Sequence, residues 1–571
     1  MAHSVLPPDR LPLELWQQIA AHAVNSPQDR GWVWLLPWLA VAPLSLARNM
    51  HGAAFSLIFR DVWWKFDGTN GVADRALVCR MLERDEEYHL AIRSLTLSTR
   101  RRVYGYETEI VPVLLEALAR FPMLREFAWN DSLGPMPLSV LQTLLSSNRQ
   151  LETLRIGTAP SAISPVDLSG FPNFVDLKVY YDSASIDVGI AQILCPHSLR
   201  SLEFDHDLYS VDRVAVALEA LVDNALSLCV LRLGGSCMGW DLGSRESSYT
   251  FLHTVSLTLI TPPPDTGLDF THIPTLTSLT LDSIVEIHNF DSLPICIRTP
   301  HTLRHLDLRD VEPAVLGTSI IGGVHCAFLD SLTLWGVPLT QEDMNSIFAP
   351  QFSGGTISAS PTPSPCVLKK LELRSPVDPT LFASTLRSSH PFPALLHLCF
   401  DIDNEDVLNS LPPFLSRANV LQQLELNAFR YVMNGIKAPS FLSPPSFRTA
   451  FKAAEHLRHI SLPVHRLELR HPLFHELGEA LQHISSLTLM LQEQWDPQPH
   501  LIENTLKAFS KFSQLQTLVI DKQQITLLHD ADVEQLSANV PTLRTFTFGN
   551  KTWEIQRHAI TGAFQRVVME K

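Results

Sequence analysis

Two pairs of histidines have a spacing that a metal ion could use: His301 with His305, and His456 with His459. Neutral imidazole is the commonest protein ligand for metals. Both pairs overlap a recurring leucine phrase that places His305 and His459 on the polar side of a strand, so a solvated surface is expected there. The run Gly234-Gly235-Ser236-Cys237-Met238-Gly239 approaches the Gly-x-Ser-x-Gly spelling of a nucleophile elbow but misses the second glycine by one place. A turn after a strand ending at Leu233 is the expected reading. There is no glycine-rich phosphate loop with Gly-Lys-Ser/Thr. The carboxylates of Glu83-Arg84-Asp85-Glu86-Glu87 read as a solvated helix face. The eight cysteines are scattered and make no Cys-x-x-Cys pair. They have no zinc-finger spacing and fit reduced thiols better than a disulfide framework. No catalytic residue, metal site or cofactor is expected.

Composition narrows the partners. The chain has 571 residues, 44 Lys plus Arg and 59 Asp plus Glu, for a net charge of −15. Its longest basic run is Arg100-Arg101-Arg102. An acidic chain with so little clustered positive charge is a poor general binder of nucleic acid. The start, Met1-Ala2-His3-Ser4-Val5-Leu6-Pro7-Pro8, has neither a basic region nor an apolar core of the secretory kind. Residues 31–47 carry no charge, but they are short for a membrane span and Pro37 and Pro43 interrupt them. A cytoplasmic or nuclear location, away from the membrane, is expected.

The element that must position any site is a short phrase, Leu-x-x-Leu-x-Leu. Its plainest copies begin at Leu303, Leu329, Leu368 and Leu421. Loosened copies, with Ile, Val, Phe or Trp at the apolar places, run from Ile92 to Leu543. Successive starts lie roughly 23 to 39 residues apart, with a mean of about 28, which is the period of a leucine-rich repeat. The last two apolar positions alternate with polar residues and so share one face of a short strand. One unit cannot bury that face alone; stacked units can. Between the phrases, Val113, Leu114, Ala117, Leu118 and Phe121 make a helical stripe, as do Val214, Val216, Leu218, Leu221 and Val222.

The expected fold class is therefore α/β: a leucine-rich-repeat solenoid, a horseshoe of parallel strands with outer helices, behind a small helical head. The turn position that usually holds Asn or Cys is occupied by residues such as Arg100, Ser132, Asp182, Val311 and Val337. The repeats are degenerate. The expected organisation is a head at 9–60, a connecting strand and helix at 61–91, repeats at 92–552 with a disordered loop near 351–366, and a C-terminal capping helix at 553–571.

Side chains that flank the strand leucines point to the open sheet face. The candidates there for holding another protein are Tyr180, Arg232, Arg309, Trp335 and Arg374. Trp, Tyr and Arg carry much of the energy in protein interfaces. Lys178, Asp307, Lys370, Glu372, Arg466, Glu468 and Arg470 share this placement. Trp335 is the sharpest of them, set against the plainer reading in which it tucks under a neighbouring loop.

Residues 6–25 begin with Leu-Pro-Pro and continue Leu11-Pro12-Leu13-Glu14-Leu15-Trp16-Gln17-Gln18-Ile19. Pro12 suits a first helical turn, and Leu15, Trp16, Ile19, Ala20 and Ala23 make an apolar stripe. This phrase resembles the opening of the F-box, and Phe55 to Val62 is similar to the segment that follows the box in fungal F-box proteins with leucine-rich repeats. Arg48-Asn49-Met50 stands where that family has a basic residue and Trp. The resemblance implies a non-catalytic, substrate-recognition adaptor subunit of a Skp–cullin–F-box ubiquitin ligase. Leu11, Pro12, Leu13, Leu15, Trp16 and Ile19 would then meet the Skp-family adaptor and, through it, a cullin. The repeats would hold an unidentified target protein. The rival readings are a leucine-rich-repeat scaffold without ligase association, and an enzyme with its site in a repeat loop.

Overall fold

In a computed structural model of the chain, the described residues are 60–66, 86–99, 110–130, 136–157, 166–181, 193–194, 198–206, 227–234, 237–238, 249–258, 260–261, 268–283, 297–311, 319–348, 367–374, 379–387, 394–401, 405–427, 445–464, 472–491, 509–521, 530–549, 551–557 and 564–570, with isolated positions such as 75–76, 78–79, 82–83 and 133. They fall into two compact units that divide at Pro263–Pro264. The head at 9–60, except for Arg60, and the loop at 351–366 lie outside the described residues, as do 214–222 and 466–470.

In the first unit the strands of the main sheet are β1 (Asp61–Phe66), β2 (Ser94–Thr99), β3 (Glu126–Trp129), β4 (Thr153–Ile156), β5 (Asp176–Tyr181), β6 (Ser201–His206), β7 (Val230–Leu233) and β8 (Thr254–Thr258). Each pairs in parallel with the next. The second unit carries β9 (Ser278–Asp282), β10 (His305–Arg309), β11 (Ser331–Trp335), β12 (Lys370–Arg374), β13 (His397–Asp401), β14 (Gln423–Asn427), β15 (His459–Val464), β16 (Ser486–Leu491), β17 (Thr517–Asp521) and β18 (Thr545–Phe548). These too pair in parallel, each with its successor. One strand per repeat, stacked in chain order, is the leucine-rich-repeat solenoid.

The leucine phrase explains the ladder. Leu303, Leu306 and Leu308 are buried, and so are the corresponding leucines of the copies at Leu329, Leu368 and Leu421. Each buried leucine is worth about 1.5–3 kcal/mol relative to exposure, so the repeated face drives stacking. Between strands lie α1 (Glu86–Ala91), α2 (Val111–Ala119) and α3 (Leu138–Ser147), and in the second unit α4 (Gln341–Phe348), α5 (Pro379–Arg387), α6 (Glu405–Leu415), α7 (Pro445–Ala453), α8 (Pro472–Ala480) and α9 (Asp530–Asn539). Helix α2 has Pro112 in its first turn, where the missing N–H is no loss, and buries Val113, Leu114, Ala117 and Leu118 as its period predicts. The helices pack on their successors: α2 on α3, and α4 through α8 in series.

Register comes from the backbone. The N–H groups of Asp330 and Ser331 both donate to Arg304 O, at 2.8 and 3.0 Å. Lys369 and Lys370 do the same to Asp330 O, Leu396 and His397 to Lys369 O, and Gln422 and Gln423 to Leu396 O. The pattern recurs in the first unit, where Arg125 and Glu126 donate to Arg93 O. Each carbonyl just before a strand thus takes two donors from the next repeat. At two of the positions that lack the usual turn asparagine, Val311 and Val337 are buried as apolar filler.

One expectation needs correction. The segment 61–91 holds a strand and a helix, β1 and α1, and β1 pairs with β2 along its whole length. The C-terminal segment is not a capping helix. It forms the antiparallel hairpin β19 (Lys551–Arg557) and β20 (Phe564–Glu570), and β19 pairs with β18. Trp553 and Ile555 are buried on one face of β19 with Glu554 between them, a period of two rather than 3.6. A strand satisfies the open backbone edge of β18, which a helix cannot do.

Candidate binding surface

On the side of β9–β18 away from the leucines, register brings together three of the candidate residues. Arg309 of β10 lies opposite Trp335 of β11, and Trp335 lies opposite Arg374 of β12. The Arg309 guanidinium carbon is 6.0 Å from the centre of the Trp335 ring, and that of Arg374 is 5.2 Å away. Trp335 remains 43% exposed. It is therefore not tucked under a loop; it stands between two guanidiniums, where the ring quadrupole favours positive charge. Gly336 follows with a positive φ of 63°, and an added Cβ would come within 2.3 Å of Asp310 Oδ1. Glycine there lets the chain turn out of β11 without moving Trp335.

Acids hold both arginines in place. Arg309 Nη2 is 2.7 Å and Nε 3.1 Å from the two oxygens of Asp307. That hydrogen bond, opposed by burial and aided by Asp282 and Glu372, raises the Arg309 pKa. Arg374 Nε is 2.7 Å from Glu372 Oε1, and its Nη2 is 4.0 Å from Glu425. The Nε contact is close but off the N–H axis, so it is an ion pair rather than an aligned hydrogen bond. Burial works against the Arg374 charge, yet Cys399, Glu372 and Glu425 outweigh it and the pKa rises. Cys399 lies beneath Arg374 with Asn427 Nδ2 3.4 Å from its sulfur, and burial pushes the thiol up to about 12.

Glu425 closes the cluster. His397 Nε2 is 3.4 Å and Gln423 Nε2 2.6 Å from its Oε1. The close approach of His397, then the hydrogen bond from Gln423, overcomes burial and holds the carboxyl at about 2. A depressed folded pKa means stability that is complete above the ordinary carboxyl range and lost as pH falls toward 2. Screening at this partly exposed site reduces the contribution to about 1–2 kcal/mol. In urea unfolding, the difference between the native chain and Glu425→Gln should be largest near pH 6 and shrink steadily between pH 5 and pH 2. A difference that does not vary with pH would remove this role for the carboxylate.

The other candidates lie apart from this cluster. Arg232 of β7 reaches Glu203 of β6 at 3.4 Å, and Lys178 of β5 is 2.6 Å from the same carboxylate. Burial raises the Glu203 pKa, but Lys178 and Arg232 together bring it below its ordinary value. The Tyr180 backbone pairs with Asp205, while its side chain lies outside the described residues. Leu11, Pro12, Leu13, Leu15, Trp16 and Ile19 lie outside them altogether.

One histidine of the first pair finds a different neighbour. His301 meets not His305 but His325 of the next repeat, with ring centres 3.9 Å apart. Burial and the neighbouring His301 lower the His325 pKa. Among the described residues, no group of His, Cys, Asp and Glu is gathered to hold a metal ion. None of the described helices is long and apolar enough to cross a membrane.

Sequence reasoning missed Trp63. It is 67% exposed on β1, donates Nε1 to Ser98 Oγ at 2.6 Å, and has Lys65 Nζ 5.9 Å from its ring. Alternation in Val62-Trp63-Trp64-Lys65-Phe66 was the available signal, since Trp64 and Phe66 are buried and Trp63 must face the other way.

No protein-family model matches the sequence, and no curated protein matches it. Among solved structures, an internalin from Listeria monocytogenes is similar over 79% of this chain and 94% of its own, at 12% identity and a TM-score of 0.29. A protein from Bacteroides fragilis is similar over 43% of this chain and 73% of its own, at 14% identity and a TM-score of 0.28. The Toll–Spatzle complex from Drosophila gives 72% and 55%, at 11% identity and a TM-score of 0.35.

Proposed function

We propose that this chain is the substrate-recognition subunit of a Skp–cullin–F-box ubiquitin ligase. In this reading it performs no catalytic step; it holds a target protein on its leucine-rich repeats in the cytoplasm or nucleus. The observation that carries the reading is the order of parts. A Leu11-Pro12-Leu13-Glu14-Leu15 phrase stands ahead of a parallel ladder whose open face displays Trp and Arg side chains. Leu11, Pro12, Leu13 and Leu15 supply apolar contact to a Skp-family adaptor, with Trp16 and Ile19 shared between adaptor and the head's own core. Through the adaptor the chain joins a cullin, and ubiquitin transfer takes place on other subunits.

Co-purification with a Skp-family adaptor tests this, using the full chain and a Leu11→Ala/Pro12→Ala variant. Trimming Leu11 alone is expected to cost on the order of 2 kcal/mol, about a thirtyfold loss of affinity. Retention by the native chain and loss by the variant supports the ligase reading. If the native chain stays folded and retains no adaptor, the chain is a repeat scaffold outside the ligase.

A further inference from the structure

The open face around Trp335 has a chemistry specific enough to deepen the target-binding half of the ligase reading, on which it rests. Around Trp335, three carboxylates are already paired. Both Asp307 oxygens take hydrogen bonds from Arg309. Glu372 takes Lys370 at 3.2 Å on one oxygen and Arg374 at 2.7 Å on the other. Glu425 faces Gln423 and His397 with one oxygen and Arg374 with the other. Donors of the row itself remain turned to solvent. Arg309 Nη1 and the Trp335 indole N–H make no hydrogen bond among the described residues. The side chains of Arg309 and Arg374 are still 42% and 32% exposed.

We infer that the Arg309–Trp335–Arg374 row binds an extended acidic segment of a partner protein, with one carboxylate at each guanidinium and an apolar side chain against the exposed edge of Trp335. The spacing selects the ligand. Arg309 and Arg374 lie on strands two steps apart, so their guanidiniums are separated by roughly 9–10 Å across the sheet. In a polyproline-type segment, residues three apart share a face at roughly 9 Å. The fit is an acid-x-x-acid segment crossing the strands, its backbone nearly straight. Asp307 holds the Nε–Nη2 fork of Arg309 and fixes the guanidinium plane, so a ligand carboxylate meets it at the open Nη1 edge. The row carries no positive excess, since the four carboxylates of Asp282, Asp307, Glu372 and Glu425 outnumber Arg309, Lys370 and Arg374 by one. Selectivity therefore comes from directed N–H groups rather than from net charge.

The test is fluorescence anisotropy on the full chain alone, with a labelled probe of sequence Gly-Pro-Asp-Leu-Pro-Asp-Pro-Gly. Saturable binding with a dissociation constant below about 1 mM is expected. Replacing both probe aspartates by asparagine should weaken it about tenfold, and Trp335→Ala in the chain should weaken it at least about tenfold. Arg309→Lys keeps the charge but loses the fork, and about a fivefold loss is expected. Circular dichroism of each variant separates lost binding from lost folding; if Trp335→Ala fails to fold, Arg309→Lys decides. No binding by the native chain, equal binding of the asparagine probe, tighter binding of a lysine probe, or indifference of both folded variants would each overturn the inference. Because the probe is measured without adaptor, its failure is distinct from failure of the ligase reading. Adaptor retained without probe binding removes only this row, and probe bound without adaptor removes only the ligase.

Discussion

Replacing Asp343 by alanine should cost about 3–5 kcal/mol, among the largest losses any single polar substitution in this chain would give. The carboxylate is fully buried. Its Oδ1 accepts from Ser319 Oγ at 2.7 Å and from the Ile321 N–H at 3.0 Å. Its Oδ2 accepts from the Thr340 N–H at 2.9 Å and from Thr340 Oγ1 at 2.7 Å. In return the Asp343 N–H donates to Thr340 Oγ1 at 3.2 Å. This reciprocal pair closes the start of α4, where the acid also meets the positive end of the helix dipole. One side chain thus ties a helix start to the preceding connection at 319–321. Alanine leaves those donors buried without acceptors. Urea unfolding, with hydrogen exchange read over 319–348, measures the loss. Asp343→Asn keeps half the acceptor capacity and should lose less. A loss under about 1 kcal/mol for the alanine variant would mean that water replaces the carboxylate and that the tie is not structural.

Trp553→Ala should cost a similar amount, about 3–5 kcal/mol, through a different mechanism. Trp553 has no exposed surface and stacks on Phe546 of β18, ring centres 5.5 Å apart and tilted by 21°. Truncation leaves a cavity at the last parallel rung and loosens β19 from β18. In a stacked-repeat protein each repeat is held by its neighbours, so damage at an end spreads inward only as far as the adjacent interfaces. The expected signature is faster exchange of amides in 545–557, with exchange in β9–β13 unchanged. Uniform acceleration across the second unit would show instead that it unfolds as one block.

How much of this was legible beforehand depends on the range of the interaction involved. The leucine phrase is local: Leu306 and Leu308 alternate with His305, Asp307 and Arg309, and every copy repeats the alternation. Parallel stacking follows, because no single copy can bury its own face. The stripe of α2 was equally plain. The hairpin β19–β20 was not, because what selects strand over helix there is the unpaired edge of β18, a need created by the assembled sheet. Asp343 was readable in part, since Thr340-Gln341-Glu342-Asp343 spells a capping box; its second pair of donors, Ser319 and Ile321, comes from more than twenty residues earlier.

The sequence alone determined the repeat, its strand, and which side chains face away from the core, because all three follow from the period-two geometry of a strand. It also named Arg309, Trp335 and Arg374 as separate open-face residues. Only the tertiary structure placed them in one row. They are 26 and 39 residues apart in the chain, and connections of unequal length separate their strands. What aligns them is the backbone: Arg304 O and Asp330 O each take two N–H groups from the next repeat and cancel the difference in length. Register is a property of that hydrogen-bond ladder, and loop residues carry no record of it.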